Sequence, residues 1–240
     1  MSIYQNIKEG KNKMIALLID PDKHDEKSLE HIVLLAEKSK ADYFFVGGSL
    51  LMTNIEETIS VLKNKTSIPV IIFPGNVMQV SDLADGILFL SMISGRNPDL
   101  LIGQHVVSAL RIKNSKLEVL PTGYILIENG RTTSVEYMSN TKPIPPDKPE
   151  IAVATAVAGE MLGLKLIYLE AGSGATNSVG LQIISEVRKN ISLPILVGGG
   201  IRNFAEARKI FEAGANLIVI GSIIEENPET ITELCFARNE

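Results

Sequence analysis

The chain has 240 residues, long enough for one α/β domain that buries about three-quarters of its unfolded surface with no disulfide or structural metal. Its 23 Lys and Arg against 28 Asp and Glu, with no basic run, argue against a nucleic-acid partner. A single cysteine, Cys235, excludes a Cys-based metal cluster and fits a reducing, cytoplasmic compartment, while apolar runs far below about 20 residues and a polar start over 1–13 predict no membrane span and no secretory signal, so that any membrane contact is peripheral.

Short apolar runs rich in Ile, Val and Phe predict strands at 14–19, 43–46, 70–73, 86–90, 118–126, 165–169, 195–197 and 217–220. Amphipathic stretches between them predict helices at 27–38, 55–63, 98–113, 150–162, 179–189, 204–213 and 228–235. Asn177 or Ser178 is placed to cap the helix at 179, and Asn203 and Asn227 stand before the last two helices. After 70–73, Pro74-Gly75-Asn76 opens something short, so the third helix is expected to be incomplete. Asn129-Gly130 between 124–127 and the β-like stretch 132–137 predicts a hairpin, hence an antiparallel β-ribbon extending strand five. The proline-rich stretch 142–149 reads as a stiff loop, either a cover over the carboxyl-end face or a passive connector.

Strands apolar on both faces, alternating with helices, point to a parallel sheet covered by helices. Eight such units make the expected architecture a single (β/α)8 TIM barrel over 1–240. Functional groups on that fold come from the strand ends, where three glycine clusters stand: Gly172-Ser173-Gly174, Gly198-Gly199-Gly200 and Gly221-Ser222. Glycine admits close backbone approach and turns N–H groups toward phosphate oxygens, so the last two clusters are a candidate phosphate grip. Asp20-Pro21-Asp22-Lys23 ends strand one; Asp20 is a candidate oxygen ligand for Mg²⁺ and Lys23 a candidate phosphate contact, a plain Asp-Pro turn being the other reading. Gly47-Gly48-Ser49 offers a hydroxyl and close backbone approach beside Asp20. Alternation turns Tyr168 and Glu170 to the barrel interior and Leu169 away. A carboxylate there is a general base or a member of a structural ion pair. His24, His31 and His105 show no ligand spacing and read as surface residues, Cys235 as a packed apolar residue. Arg96 and Asn97 read equally as diphosphate contacts or as a solvated loop.

Taken in order, Leu18-Ile19-Asp20-Pro21-Asp22-Lys23, Val46-Gly47-Gly48-Ser49, Phe73-Pro74-Gly75-Asn76, Pro121-Thr122-Gly123-Tyr124, Tyr168-Leu169-Glu170-Ala171-Gly172-Ser173-Gly174, Val197-Gly198-Gly199-Gly200-Ile201-Arg202 and Ile220-Gly221-Ser222 cover nearly the whole chain. The sequence resembles the geranylgeranylglyceryl phosphate synthases and the related bacterial heptaprenylglyceryl phosphate synthases. The resemblance implies a Mg²⁺-dependent prenyltransferase that joins sn-glycerol 1-phosphate to a polyprenyl diphosphate, such as geranylgeranyl diphosphate, as an ether and releases pyrophosphate. It further implies that Asp20 and Ser49 hold Mg²⁺. Tyr168, Leu169, Glu170, Ala171, Gly172, Ser173 and Gly174, with Gly198, Gly199, Gly200, Gly221 and Ser222, would cradle glycerol 1-phosphate. Glu170, with Tyr168 beside it and Asp20 across the mouth, would be catalytic.

Some members carry a lysine two residues before the strand-one aspartate, where this chain has Leu18. That difference shifts phosphate binding toward main-chain N–H groups or Lys23. The Arg96-Asn97-Pro98 loop is similar to that of the second subgroup, found in bacteria and archaea, which implies a homo-oligomer, a dimer or hexamer. On fold alone, an isomerase or lyase of a soluble phosphosugar and a non-catalytic phosphate-binding protein remain open.

Overall fold

The computed structural model describes residues 2–10 and 13–238, so residues 1, 11–12 and 239–240 of the expected domain lie outside the described residues. Eight parallel strands, β1 (Met14–Ile19), β2 (Tyr43–Val46), β3 (Val70–Ile72), β4 (Gly86–Ser91), β5 (Glu118–Leu126), β6 (Leu166–Glu170), β7 (Ile195–Gly198) and β8 (Leu217–Ile220), follow one another around a closed barrel. The barrel shuts where β1 pairs with β8, Ala16 opposite Val219. Around it lie α2 (Glu26–Lys38), α3 (Ile55–Lys65), α4 (Gln104–Lys113), α6 (Pro149–Met161), α7 (Leu181–Asn190), α8 (Phe204–Glu212) and α10 (Thr230–Phe236), with short helices α1 (Ile3–Glu9), α5 (Ser134–Ser139) and α9 (Ser222–Glu226) at its ends.

Strand alternation divides the core into two layers. Ala16, Phe45, Ile71, Leu88, Leu120, Tyr168, Leu196 and Val219 pack inside the barrel. Ile15, Phe44, Ile72, Ile87, Ile167, Leu169, Val197 and Ile218 pack outward against the helices. Neither strand face is wet, which is why the strand sequences are nearly continuous apolar runs. Cys235 is buried in the outer layer, and burial pushes its thiol up to about 11, so it packs as an apolar group.

The amino-terminal segment, polar in sequence, forms α1 and stoppers the amino-end of the barrel. Ser2 caps it by accepting from the Gln5 N–H, and the Glu118 carboxylate at the start of β5 accepts from the Ile3 and Tyr4 N–H groups at 2.6 and 2.8 Å. Ile7 enters the inner layer, a burial that stabilises by about 1.5–3 kcal/mol.

At the carboxyl end two expectations change and a third is decided between its alternatives. Residues 132–137 form no antiparallel strand; they lead into α5, because Thr133 accepts from the Glu136 N–H at its start and Asn140 stops it in a left-handed conformation, φ 49°. Of the two readings of the proline-rich segment, the connector stands, since none of residues 142–149 lines the space at the barrel mouth. Ile144 makes a parallel bridge with Ile127, donating to Leu126 O and accepting from Glu128 N, both at 2.9 Å, so the chain is pinned to the end of β5. Between β3 and β4, residues 73–85 hold turns and no helix, a gap wider than an incomplete third helix. The expected cap of α7 also moves: the helix starts after Gly180 with no side-chain cap, and the Asn177 backbone packs on Gly200 instead.

Candidate active site

A cavity of about 620 Å³ opens at the carboxyl ends of the strands. Asp20 after β1, Ser49 after β2, Glu170 on β6, Gly199 and Gly200 after β7, and Gly221 and Ser222 after β8 all line it. The acidic turn and the glycine turns therefore share one rim. The cavity also leaves the barrel: Ile87 and Phe89, on the outer face of β4, line it together with Val80, His105, Ser108 and Ile112. The space opens there because residues 73–85 supply no helix to fill it.

Tyr168 and Glu170 face inward and Leu169 outward, as alternation requires. Glu170 is 5 % exposed, and its Oε1 accepts from the Gly172 N–H at 2.5 Å. Burial pushes its carboxyl up to about 7, against the pull of that N–H and the weaker pull of the Tyr168 and Tyr124 hydroxyls. The Tyr168 hydroxyl is buried and makes no hydrogen bond to another group among the described residues. Burial and the Glu170 charge hold both tyrosines well above the ordinary phenol range, which keeps them protonated. Phe73, Tyr124 and Tyr168 form an aromatic cluster beside the carboxyl, with Tyr124 and Tyr168 stacked at 5.3 Å.

The glycines are demanded by this arrangement. Gly199 has φ +83°, and a Cβ there would stand 2.6 Å from Glu170 Oε1 and 2.7 Å from Gly172 N. A Cβ at Gly198 would stand 2.1 Å from the Tyr168 hydroxyl. Ser222 Oγ accepts from the Gly174 N–H at 3.0 Å and lies 3.5 Å from Ser173 Oγ, so the turns after β6 and β8 meet. The result is a concave surface of main-chain groups and hydroxyls suited to an anion.

Next to the β8 turn, at the end of β1, Asp20 begins a short turn, Pro21–Lys23, and accepts from the Asp22 N–H at 3.0 Å. Burial raises its carboxyl above the ordinary range, with the Asp22 charge adding to the rise. The loop carrying Ser49 is held from two sides. Asp22 accepts from the Met52 and Thr53 N–H groups, each at 2.8 Å, and Gln79 donates to Gly48 O at 2.8 Å while accepting from Gly75 N at 2.9 Å. Among the described residues no three His, Cys, Asp or Glu side chains gather as a metal site. One half-buried carboxylate and one hydroxyl nevertheless fit Mg²⁺, which takes one or two carboxylates and completes its shell with phosphate oxygens and water.

Several expected site residues sit outside the cavity lining. Leu169 and Ala171 pack in the outer layer, and Gly172 and Gly198 act on Glu170 and Tyr168 from behind. Lys23 is exposed and does not line the cavity, whereas Leu18 lines it next to Gly221. Arg96 is exposed and bonds Gly95 O at 2.7 Å, and Asn97 bonds Ser139 O, so this loop holds itself and does not reach the cavity.

Only one of the three histidines has the expected surface position. His31 is exposed and pairs with Glu229, but His105 is 7 % exposed, bonded to Ser91 Oγ at 3.0 Å and packed edge-on against Phe89. His24 is half-buried and bonds Ser28 Oγ. Tyr124, Gln79, Arg131, Arg202 and Glu225 were not singled out as site residues, yet four of them line the cavity and Gln79 braces its edge. The inward alternation of β5 was a readable signal for Tyr124; the others depend on loop conformation.

The sequence profile of the PcrB family matches residues 5–237. The geranylgeranylglyceryl phosphate synthase of Flavobacterium johnsoniae is 50 % identical, with 94 % of this chain and 95 % of that protein covered. That of Chitinophaga pinensis is 49 % identical, with 94 % and 90 % covered. Among solved structures, (S)-3-O-geranylgeranylglyceryl phosphate synthase of Thermoplasma acidophilum, in complex with its substrate sn-glycerol-1-phosphate, superposes with a TM-score of 0.94 at 31 % identity, covering 99 % of this chain and 98 % of that one.

Proposed function

The chain belongs to the PcrB family, and from that premise we propose that it is a prenyltransferase joining sn-glycerol 1-phosphate to a polyprenyl diphosphate, with Mg²⁺ and with geranylgeranyl diphosphate as the expected donor. The observation that carries this reading is Glu170: a buried carboxyl with its pKa near 7, set between the glycine turns and an apolar extension of the same cavity.

In this reading the phosphate of the acceptor rests on the turns around Gly174, Gly199–Gly200 and Gly221–Ser222. Of its two free hydroxyls, the terminal one, on the carbon farthest from the phosphate, then faces Glu170. The hydroxyl oxygen attacks the first carbon of the prenyl chain, the bond from that carbon to the diphosphate oxygen breaks, and pyrophosphate leaves. Glu170 takes the hydroxyl proton as the ether bond forms, a task suited to a base whose pKa lies near working pH. Gly172 fixes the carboxylate through its N–H. Phe73, Tyr124 and Tyr168 keep bulk water from the electrophilic carbon, and the two phenols, held protonated, offer hydrogen-bond donors without competing as bases. Asp20 and Ser49 would hold Mg²⁺, which neutralises charge on the departing diphosphate when bound. The prenyl tail takes the apolar extension past Phe89, where no helix follows β3.

No helix among the described residues is long and apolar enough to cross a membrane. Self-association, expected from the subgroup resemblance, is supported by Ile102, Val106, Val107 and Leu110, exposed along α4 and the turn before it; light scattering at a single monomer mass would reject it.

The test of the reaction is incubation with labelled sn-glycerol 1-phosphate, Mg²⁺ and prenyl diphosphates of increasing length, followed by extraction into organic solvent. Label moves to the organic phase for at least one length. Label that stays in water for every length rejects the reading, and sn-glycerol 3-phosphate run in parallel tests the stereochemical preference.

A further inference from the structure

The turns after β6, β7 and β8 offer a phosphate neutral amides and hydroxyls, while four carboxylates, Asp20, Glu170, Glu225 and Glu226, line the same cavity. A dianion on that surface, among carboxylates, is held more tightly when a cation joins the N–H donors, since hydrogen bonds to a charged donor are roughly twice as strong as neutral ones. Lys23 is exposed and outside the lining, and the β1 side next to Gly221 presents the apolar Leu18. Two guanidiniums line the cavity, Arg131 and Arg202. Arg202 is engaged by Ala175 O at 3.3 Å; Arg131 has no hydrogen bond or ion pair among the described residues.

Arg131 is nevertheless held in place by its neighbours in sequence. Two residues before it, the Asn129 side-chain amide donates to Ala171 O. Two residues after it, Thr133 packs on Gly172, where a Cβ would stand 2.5 Å from the threonine methyl. Residues 129–133 therefore run alongside 171–174 and deliver the guanidinium over Gly174. A Cβ at Gly174 would stand 2.6 Å from Arg131 Nη2, so the missing side chain at 174, at φ +66°, leaves the guanidinium its place. The N–H of that same Gly174 bonds Ser222 Oγ, on the turn assigned to the phosphate.

We infer that Arg131 is a substrate-binding residue whose guanidinium closes over the Gly174–Ser222 turn and meets the phosphate of the acceptor substrate. The inference rests on the phosphate reading of this end of the cavity and adds its charged partner. A guanidinium suits the task because its planar fork presents two N–H groups to two phosphate oxygens at once.

The test is calorimetric titration of the full chain with sn-glycerol 1-phosphate and, separately, with Mg²⁺ and pyrophosphate, for the wild type, Arg131→Ala and Arg131→Lys. Arg131→Ala weakens glycerol phosphate binding by about 10- to 100-fold, and lysine restores part of it. Pyrophosphate binding stays unchanged, and the variant loses affinity less steeply with added salt than the wild type does. Thermal unfolding of the variants matches the wild type, because Arg131 is exposed and has no hydrogen bond or ion pair among the described residues. A wild type that binds glycerol phosphate while Arg131→Ala binds it equally overturns the inference and leaves the phosphate reading standing, and equal weakening of both ligands also overturns it. A wild type that binds no glycerol phosphate defeats the reading itself, and the inference falls with it.

Discussion

At the β6–β8 rim the ligand surface is main chain, set by glycines at φ +66°, +69° and +83° and by a carboxyl tied to a backbone N–H, whereas at the β2–β4 rim it is side chains around a gap where a helix is absent. The first region is closed to adjustment: a Cβ at Gly198 or Gly199 strikes Tyr168 or Glu170. The second is open, with Leu50 and Met78 exposed at 63 % and 78 % beside it. A surface made of fixed amides suits one small anion of one size, and a surface made of Phe89, Ile112, Val80 and Ser108 suits an apolar chain of adjustable length.

The largest effect is expected at Glu170. Glu170→Gln lowers kcat by about 10²- to 10⁴-fold with both substrates still bound, measured by steady-state assay against ligand titration. In the wild type, kcat/KM falls about tenfold per pH unit below about 7, as the base is protonated. The folded carboxyl is raised from 4.5 to about 7, so its contribution to stability is full below 4.5 and is lost as pH rises to 7. Glu170→Gln escapes that loss, and its Tm exceeds that of the wild type above pH 7 and converges with it below pH 4.5.

Asp20→Asn, at the end of β1 between the two rims, raises the Mg²⁺ concentration for half-maximal activity by about 10- to 100-fold while sn-glycerol 1-phosphate binds as before, as titration of activity with Mg²⁺ would show. Gly199→Ala costs about 1–3 kcal/mol in denaturant unfolding, because it combines a left-handed backbone with a contact on Glu170 Oε1. Ser108→Phe, which fills the outer part of the cavity, lowers turnover several-fold with a twenty-carbon donor and leaves a five-carbon donor untouched, as initial rates on the two donors would show. Equal loss on both donors would place the tail elsewhere.

The two regions also differ in how far the sequence revealed them. The eight strands were legible because each is apolar on both faces, a pattern only a doubly covered sheet requires, and the strand ends followed directly from it. Glu170 and its glycines were legible because strand alternation and turn chemistry are local. Asn129-Gly130 is a strong hairpin signal and points to a β-ribbon, but Thr133 and Glu136, three residues apart, form a competing helix-start signal, and it prevails. Helix α1 is short and its apolar residues are few, so its packing into the barrel end was hidden. The place of Arg131 depends on how two loops lie against each other, and the buried state of His105 on a Phe89 contact, neither of which any spacing encodes.

One cavity is expected to hold two anions side by side, one on the turns after β6, β7 and β8 and one beside Asp20 and Ser49. Equilibrium binding of sn-glycerol 1-phosphate, measured alone and then in the presence of saturating Mg²⁺ and geranylgeranyl diphosphate, tests it most directly. The account predicts one equivalent of each ligand bound together, with affinity for glycerol phosphate undiminished by the other. Mutual exclusion of the two ligands would contradict it.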